Sequence, residues 1–164
     1  MRNSGLKLLA LAVFVLTLPG MAAAGALSVA GIGPRVGLGI NPDQFIVGGQ
    51  VVMDRVAEAV NLAASIDAGF GDHVTDFAFN ADMQIRLPRL PKSNVTLYGL
   101  AGPTIVYYDP EFGDGDTELG FSIGGGLKIP MGGGSSYNLE ARGGLGDIPD
   151  FKLLLGIYIG LGSK

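Results

Sequence analysis

The chain reads as an all-β fold: eight strands in an antiparallel, up-and-down order, closed into a barrel. Three observations predict it. Apolar and polar residues alternate over segment after segment, the segments are joined by short runs rich in Gly, Pro, Asn and Asp, and beyond Ala24 no apolar run approaches the length of a membrane-spanning helix. Alternation sends successive side chains to opposite faces of a strand. Short connections make neighbouring strands antiparallel.

The N-terminus has a different character. Arg2 and Lys7 precede an apolar run from Leu8 to Leu18, interrupted only by Thr17, and Pro19-Gly20 and Ala22-Ala23-Ala24 follow. A positive start, a short apolar stretch and a small-residue site form the pattern of a cleaved secretory signal peptide. The run falls short of the roughly 20 residues a transmembrane helix needs. The expected division is therefore a signal peptide over 1–24 and a β-barrel domain over 25–164.

The strands follow in order. In Val29 to Ile40, Ile32, Pro34, Val36, Leu38 and Ile40 share one face and Gly31, Gly33, Arg35, Gly37 and Gly39 the other, before an Asn41-Pro42-Asp43 turn. Gln44 to Met53 sets Phe45, Val47, Val51 and Met53 against Gln44, Gly48 and Gln50, with Ile46 and Val52 breaking the alternation. Val60 to Phe70 alternates from its first residue, which argues for a strand over the helix that its alanines also permit. After Gly71-Asp72-His73 comes the clearest segment, Val74 to Leu87, where Phe77, Phe79, Ala81, Met83, Ile85 and Leu87 oppose Asp76, Ala78, Asn80, Asp82, Gln84 and Arg86. It exceeds the about 9–11 residues a tilted strand needs to cross a bilayer.

Pro88 and Pro91 enforce the next turn. The fifth strand, Val95 to Tyr108, turns Val95, Leu97, Ala101 and Ile105 outward, and Pro103 within it predicts a bulge or a change of facing. Asp109 to Asp116 is the longest loop. Thr117 to Ile129, Ser135 to Leu145 and Phe151 to Leu161 complete the set, with turns over Pro130 to Gly134 and Gly146 to Asp150.

Composition decides which face is inside. The chain is 48% hydrophobic and only 16% charged, with 28 glycines, no cysteine and no tryptophan. Its formal net charge of −4 becomes more negative without Arg2 and Lys7, which makes it a poor candidate for nucleic-acid binding, and no nucleic-acid partner is expected. Without cysteine there is no disulfide and no thiolate metal site. The apolar rows are almost wholly aliphatic or aromatic, and such a row exposed to water exceeds what soluble monomers tolerate.

The opposite face carries Arg35, Asp67, Asp82, Arg86, Glu118, Lys128, Glu140 and Arg142 among glycines and small polar residues. Acids and bases are equal in number, as a buried ionic interior requires. The expected arrangement is an inverted barrel: apolar rows to lipid, these eight residues as a lumen charge network. Unpaired strand edges in lipid cost several kcal/mol per group, so the sheet must close. An even strand count brings both ends of the barrel to one side. Phe45, Phe70, Tyr107, Tyr108, Phe112, Tyr137 and Phe151 near strand ends fit interfacial girdles. The competing reading is a soluble periplasmic, lipocalin-like barrel around an apolar ligand, with the facing reversed.

The leader, eight amphipathic strands and a glycine-rich polar face resemble the small outer-membrane β-barrel proteins, the OmpA/OmpX-like group. The likeness spans about Val29 to Leu161 by pattern and departs from the group at the end, Gly-Leu-Gly-Ser-Lys, where an aromatic residue is usual. It implies an eight-stranded closed transmembrane barrel in the outer membrane of a Gram-negative cell, surrounded by outer-membrane lipids. It further implies insertion by the barrel-assembly machinery. We expect a monomer with a structural or interaction role in the envelope, or a very small pore.

Sites of other chemistry are weakly indicated. His73, the sole histidine, with Asp72 or Asp76 as partner and Thr75 as the nearby hydroxyl, lacks the serine of the lipid A deacylases that such barrels include. Asp109, Glu111, Asp114 and Asp116 offer oxygen ligands without an EF-hand spacing. Gly31-x-Gly33 and Gly124-Gly125-Gly126 are not followed by the helix a phosphate cradle needs. Asn94-Val95-Thr96 matches a glycosylation sequon that bacteria do not normally use. No catalytic, cofactor-binding or metal-ligating residue is expected.

Overall fold

Strict alternation becomes strand wherever the sequence shows it. The computed structural model describes residues 28–53, 57–88, 93–111 and 114–161. Eight strands run in chain order: β1 Val29–Ile40, β2 Gln44–Met53, β3 Val60–Gly71, β4 Val74–Arg86, β5 Thr96–Pro110, β6 Asp116–Gly132, β7 Ser135–Gly146 and β8 Phe151–Gly160. Each pairs antiparallel with the next, and β8 returns to β1 to close the barrel. The closing seam sets Val36 opposite Leu155 and Leu38 opposite Leu153. The segment expected to be a signal peptide, 1–24, lies outside the described residues, as does Phe112.

The ring has two unlike ends. At one, β1 begins and β8 finishes, beside the β2–β3, β4–β5 and β6–β7 connections; we call it the terminal end. At the other, the loop end, lie the remaining four connections.

Facing is inverted relative to a water-soluble barrel. Leu155, Ile66 and Leu119 are 52%, 55% and 57% exposed, while Asp67, Glu140 and Arg142 are 0%, 2% and 3% exposed. The arrangement of a ligand-carrying soluble barrel, apolar rows inward, is the reverse of what is observed. Ile46, Val52, Leu100 and Leu154 are exceptions that turn into the lumen and are buried there.

Three local expectations differ from the structure. Pro103 produces neither bulge nor parity change: Thr104 pairs with Asn80 and Ala101 with Met83 in one unbroken register, and Pro103 itself stands opposite Phe121. The ring points outward and the missing N–H removes one ladder bond without inserting a residue. Tyr108 is no girdle residue; its ring packs inside against Ala78, Val106 and Ile148. The β6–β7 turn is tighter than expected, because β6 runs past Pro130 and Gly132, Gly133 and Gly134 take φ of 94°, 61° and 78°. Glycine enters that left-handed region without steric cost, which suits a tight hairpin.

Candidate functional site

The lumen is the candidate site, and it is built in levels. At mid-height Arg35 of β1 spans to Asp67 of β3, donating from Nε at 2.6 Å and from Nη2 at 2.5 Å, and Nη2 also donates to Ser65 Oγ at 2.7 Å. Two donors on two carboxylate oxygens is the bidentate geometry that guanidinium favours. From β7, Arg142 donates to Glu140 at 2.6 Å and to Asp82 of β4 at 2.9 Å. Arg35 Nη1 approaches Glu140 at 3.5 Å, so two arginines and three acids form one ionic cluster. Tyr98 donates its hydroxyl to Asn138 and Glu140 at 2.7 and 2.8 Å. Asn80 donates to Ser65 and Asp67, and Thr104 donates to Asn80.

Removing charges from water is costly unless other polar groups replace the hydration. This cluster supplies most of them, and Asp82 Oδ1 and Arg142 Nη1 have no hydrogen-bond partner among the described residues. Glycine makes the room. A Cβ on Gly48 would stand 2.3 Å from Asp67 Oδ1, and one on Gly126 2.5 Å from the Tyr98 hydroxyl.

The structure brings five of the eight expected charge-network residues together: Arg35, Asp67, Asp82, Glu140 and Arg142. It separates the other three. Arg86 is exposed at the terminal end of β4. Lys128 sits between the Tyr98 and Tyr158 rings, 5.1 and 5.0 Å from their centroids. Glu118 lies opposite Val106, towards the loop end.

Two buried ions were left out of the expected network: Lys152, 4% exposed, and Asp76, 1% exposed, which alternation had already set on the polar face. Both were legible from the same parity rule, since Lys152 alternates with Phe151 and Leu153. With Gln44 they occupy the level nearer the loop end, where Gln44 and Asp76 crowd over Gly69.

The loop end is closed by Ile148 and Pro149, which fold inward from the β7–β8 connection. Ile148 packs on Ala78 and Val106, and a Cβ on Gly120 or Gly144 would strike it at 2.7 or 2.8 Å. The terminal end is open: a cavity of about 440 Å³ is lined by Asn61, Gln84, Arg86, Tyr98, Lys128 and Tyr158 among others.

His73 stands in the exposed β3–β4 turn at φ 64°. Its Nδ1 is 2.8 Å from the Glu111 carboxylate, neither Asp72 nor Asp76 being its partner. Among the described residues no group of three or more His, Cys, Asp or Glu is placed to hold a metal ion.

A closed eight-stranded barrel with an apolar belt outside and paired ions inside has the fold of the small outer-membrane β-barrels. Comparison with solved structures agrees. The chain is similar to the N-terminal β-barrel domain of Pseudomonas aeruginosa OprF, at 16% identity and a TM-score of 0.62, over 79% of this chain and 96% of that one. It is equally similar in fold to Neisserial surface protein A, at 10% identity and 0.62, over 80% and 95%. No protein-family profile and no curated protein sequence matches it.

The outer membrane enzyme PagL also aligns, at 15% identity and a TM-score of 0.49, over 80% of this chain and 100% of that one. It corrects the expectation that the chain has no catalytic role: an eight-stranded barrel of the outer membrane can be an enzyme, so the fold does not exclude catalysis. A likeness of that degree transfers no activity.

Proposed function

We propose that the chain is an outer-membrane β-barrel protein with a structural or interaction role in the bacterial envelope. Residues 1–24 serve as a cleaved signal peptide and 25–164 form the barrel, inserted as a monomer by the barrel-assembly machinery and surrounded by outer-membrane lipids. The terminal end faces the periplasm. The observation that carries this reading is the continuous apolar belt, Leu38, Ile66, Leu119, Leu145 and Leu155 among its most exposed members, around a lumen of paired ions. Water would not tolerate that exterior, and lipid requires it.

The experiment is fractionation of producing cells followed by electrophoresis with and without boiling. Recovery in the detergent-extracted outer membrane, with faster migration when unheated, is expected. Release by osmotic shock without detergent would overturn the reading. N-terminal sequencing of the mature protein should begin after Ala24.

A very small pore is the second reading, favoured by the open cavity at the terminal end. The ionic cluster and the Ile148–Pro149 cap stand against it. Planar-bilayer recordings are expected to show no unitary steps; reproducible openings would favour the pore.

A further inference from the structure

The open cavity at the terminal end differs in charge from every other level of the lumen. Its wall carries two cations, Arg86 and Lys128, and hydroxyl or amide groups from Asn61, Gln84 and Ser136, and no acidic side chain lines it among the described residues. Neither cation forms an ion pair with a described acid. Among the described residues Lys128 makes one hydrogen bond, to Gln84 Oε1, at a long 3.4 Å. Its remaining contacts are the faces of Tyr98 and Tyr158. An ammonium has three donors, so Lys128 has capacity left. Glu140, deeper in the lumen, is already engaged by Arg142 and Tyr98.

A half-buried cation held by aromatic faces and one weak hydrogen bond is an incomplete ionic site. The middle of the same lumen shows the paired version, in which each arginine meets carboxylates. The cavity, at about 440 Å³, falls within the range of roughly 300–1,000 Å³ typical of small-molecule sites. It is blind, because the ionic cluster fills the lumen beyond it and Ile148 caps the far end. About half of its wall is polar, with two cations and several hydroxyl and amide groups, which suits a hydrophilic ligand.

We propose that this vestibule binds an oxyanion, a phosphate or carboxylate group carried by a small molecule or chain end that enters from the periplasm. Lys128 and Arg86 are its charge partners, and Gln84 and Ser136 donate hydrogen bonds to it. The periplasmic origin rests on the orientation proposed above; the anion site itself rests on the side chains.

The test is calorimetric titration of the mature barrel in phosphatidylcholine nanodiscs with inorganic phosphate, pyrophosphate and glucuronate, with glucose as neutral control. Saturable binding of at least one anion and none of glucose is expected, with affinity falling about tenfold in Lys128→Gln and in Arg86→Gln. Binding of the phosphates alone identifies a phosphoryl group as the natural feature, and binding of glucuronate alone a carboxylate. Both residues lie outside the ionic cluster, so both variants should retain the unheated gel shift. Lys128→Arg keeps the charge and should bind within about twofold of the parent. Absence of saturable binding to all three anions overturns the proposal, as does equal affinity in parent and both glutamine variants. A barrel that fractionates with the outer membrane yet ignores every anion refutes the vestibule and leaves the envelope assignment standing.

Discussion

The middle of the lumen and its terminal end both carry cations on the inward face of the barrel, yet they solve opposite problems. At mid-height Arg35 and Arg142 meet Asp67, Asp82 and Glu140 within a hydrogen-bonded set that Ser65, Asn80 and Tyr98 extend. At the terminal end Lys128 and Arg86 border a cavity that no acid lines among the described residues. A layer of paired ions ties together strands that face each other across the barrel. An unsaturated one keeps interaction capacity for something outside the chain. The contrast teaches that net charge along a lumen matters less than which charges have found partners.

Breaking the layer of paired ions should have the largest effect. Asp67→Ala strands Arg35 in a buried site, and loss of one partner of a buried pair costs about 3–5 kcal/mol. Urea unfolding of the refolded barrel should show the loss, with weakening of the heat-modifiable band. The double variant Arg35→Met with Asp67→Leu removes both charges and should recover most of it, because apolar replacement of a whole pair is often nearly neutral. An equally large loss in the double variant would show that the pair acts through shape rather than charge.

Next comes the outer belt. Leu155→Arg places a guanidinium against mid-bilayer lipid, at a cost of about 2–4 kcal/mol. The yield of membrane-inserted protein should fall sharply. Full yield would contradict the facing of β8.

The cap is a smaller contribution. Ile148→Ala removes buried apolar contact with Ala78 and Val106 and should lower stability by about 2 kcal/mol, read from the urea midpoint. The smallest stability effect belongs to the unsaturated end: Lys128→Gln should leave the urea midpoint within about 0.5 kcal/mol of the parent. A loss as large as that of Asp67→Ala would place Lys128 in the structural layer after all.

Much of this fold was legible in the sequence, because lipid and lumen impose a period of two that few other environments impose so strictly. All eight strands fall within a few residues of the segments read from alternation. Pro103 misled because a proline whose ring faces out removes a single ladder bond, and neighbouring strands hold the register around it. Tyr108 misled because position near a strand end says nothing of parity.

Pairings inside the lumen were out of reach. Arg35 on β1 meets Asp67 on β3 and Glu140 on β7, and Arg142 on β7 meets Asp82 on β4. None of these pairs lies on adjacent strands, so they depend on how the whole ring is staggered when it closes. The Ile148 cap gave a fainter signal, one isolated isoleucine within the acidic turn Gly146-Asp147-Ile148-Pro149-Asp150. A turn that carries an apolar residue inward looks, in sequence, like any other turn.

The inverted facing can be tested directly because the chain has no tryptophan of its own. A single tryptophan placed at Leu155 should, in vesicles of chain-brominated phosphatidylcholine, lose most of its fluorescence and resist quenching by aqueous iodide. Fluorescence untouched by the brominated lipid and quenched by iodide would contradict a lipid-facing β8, and with it the barrel as a membrane-spanning body.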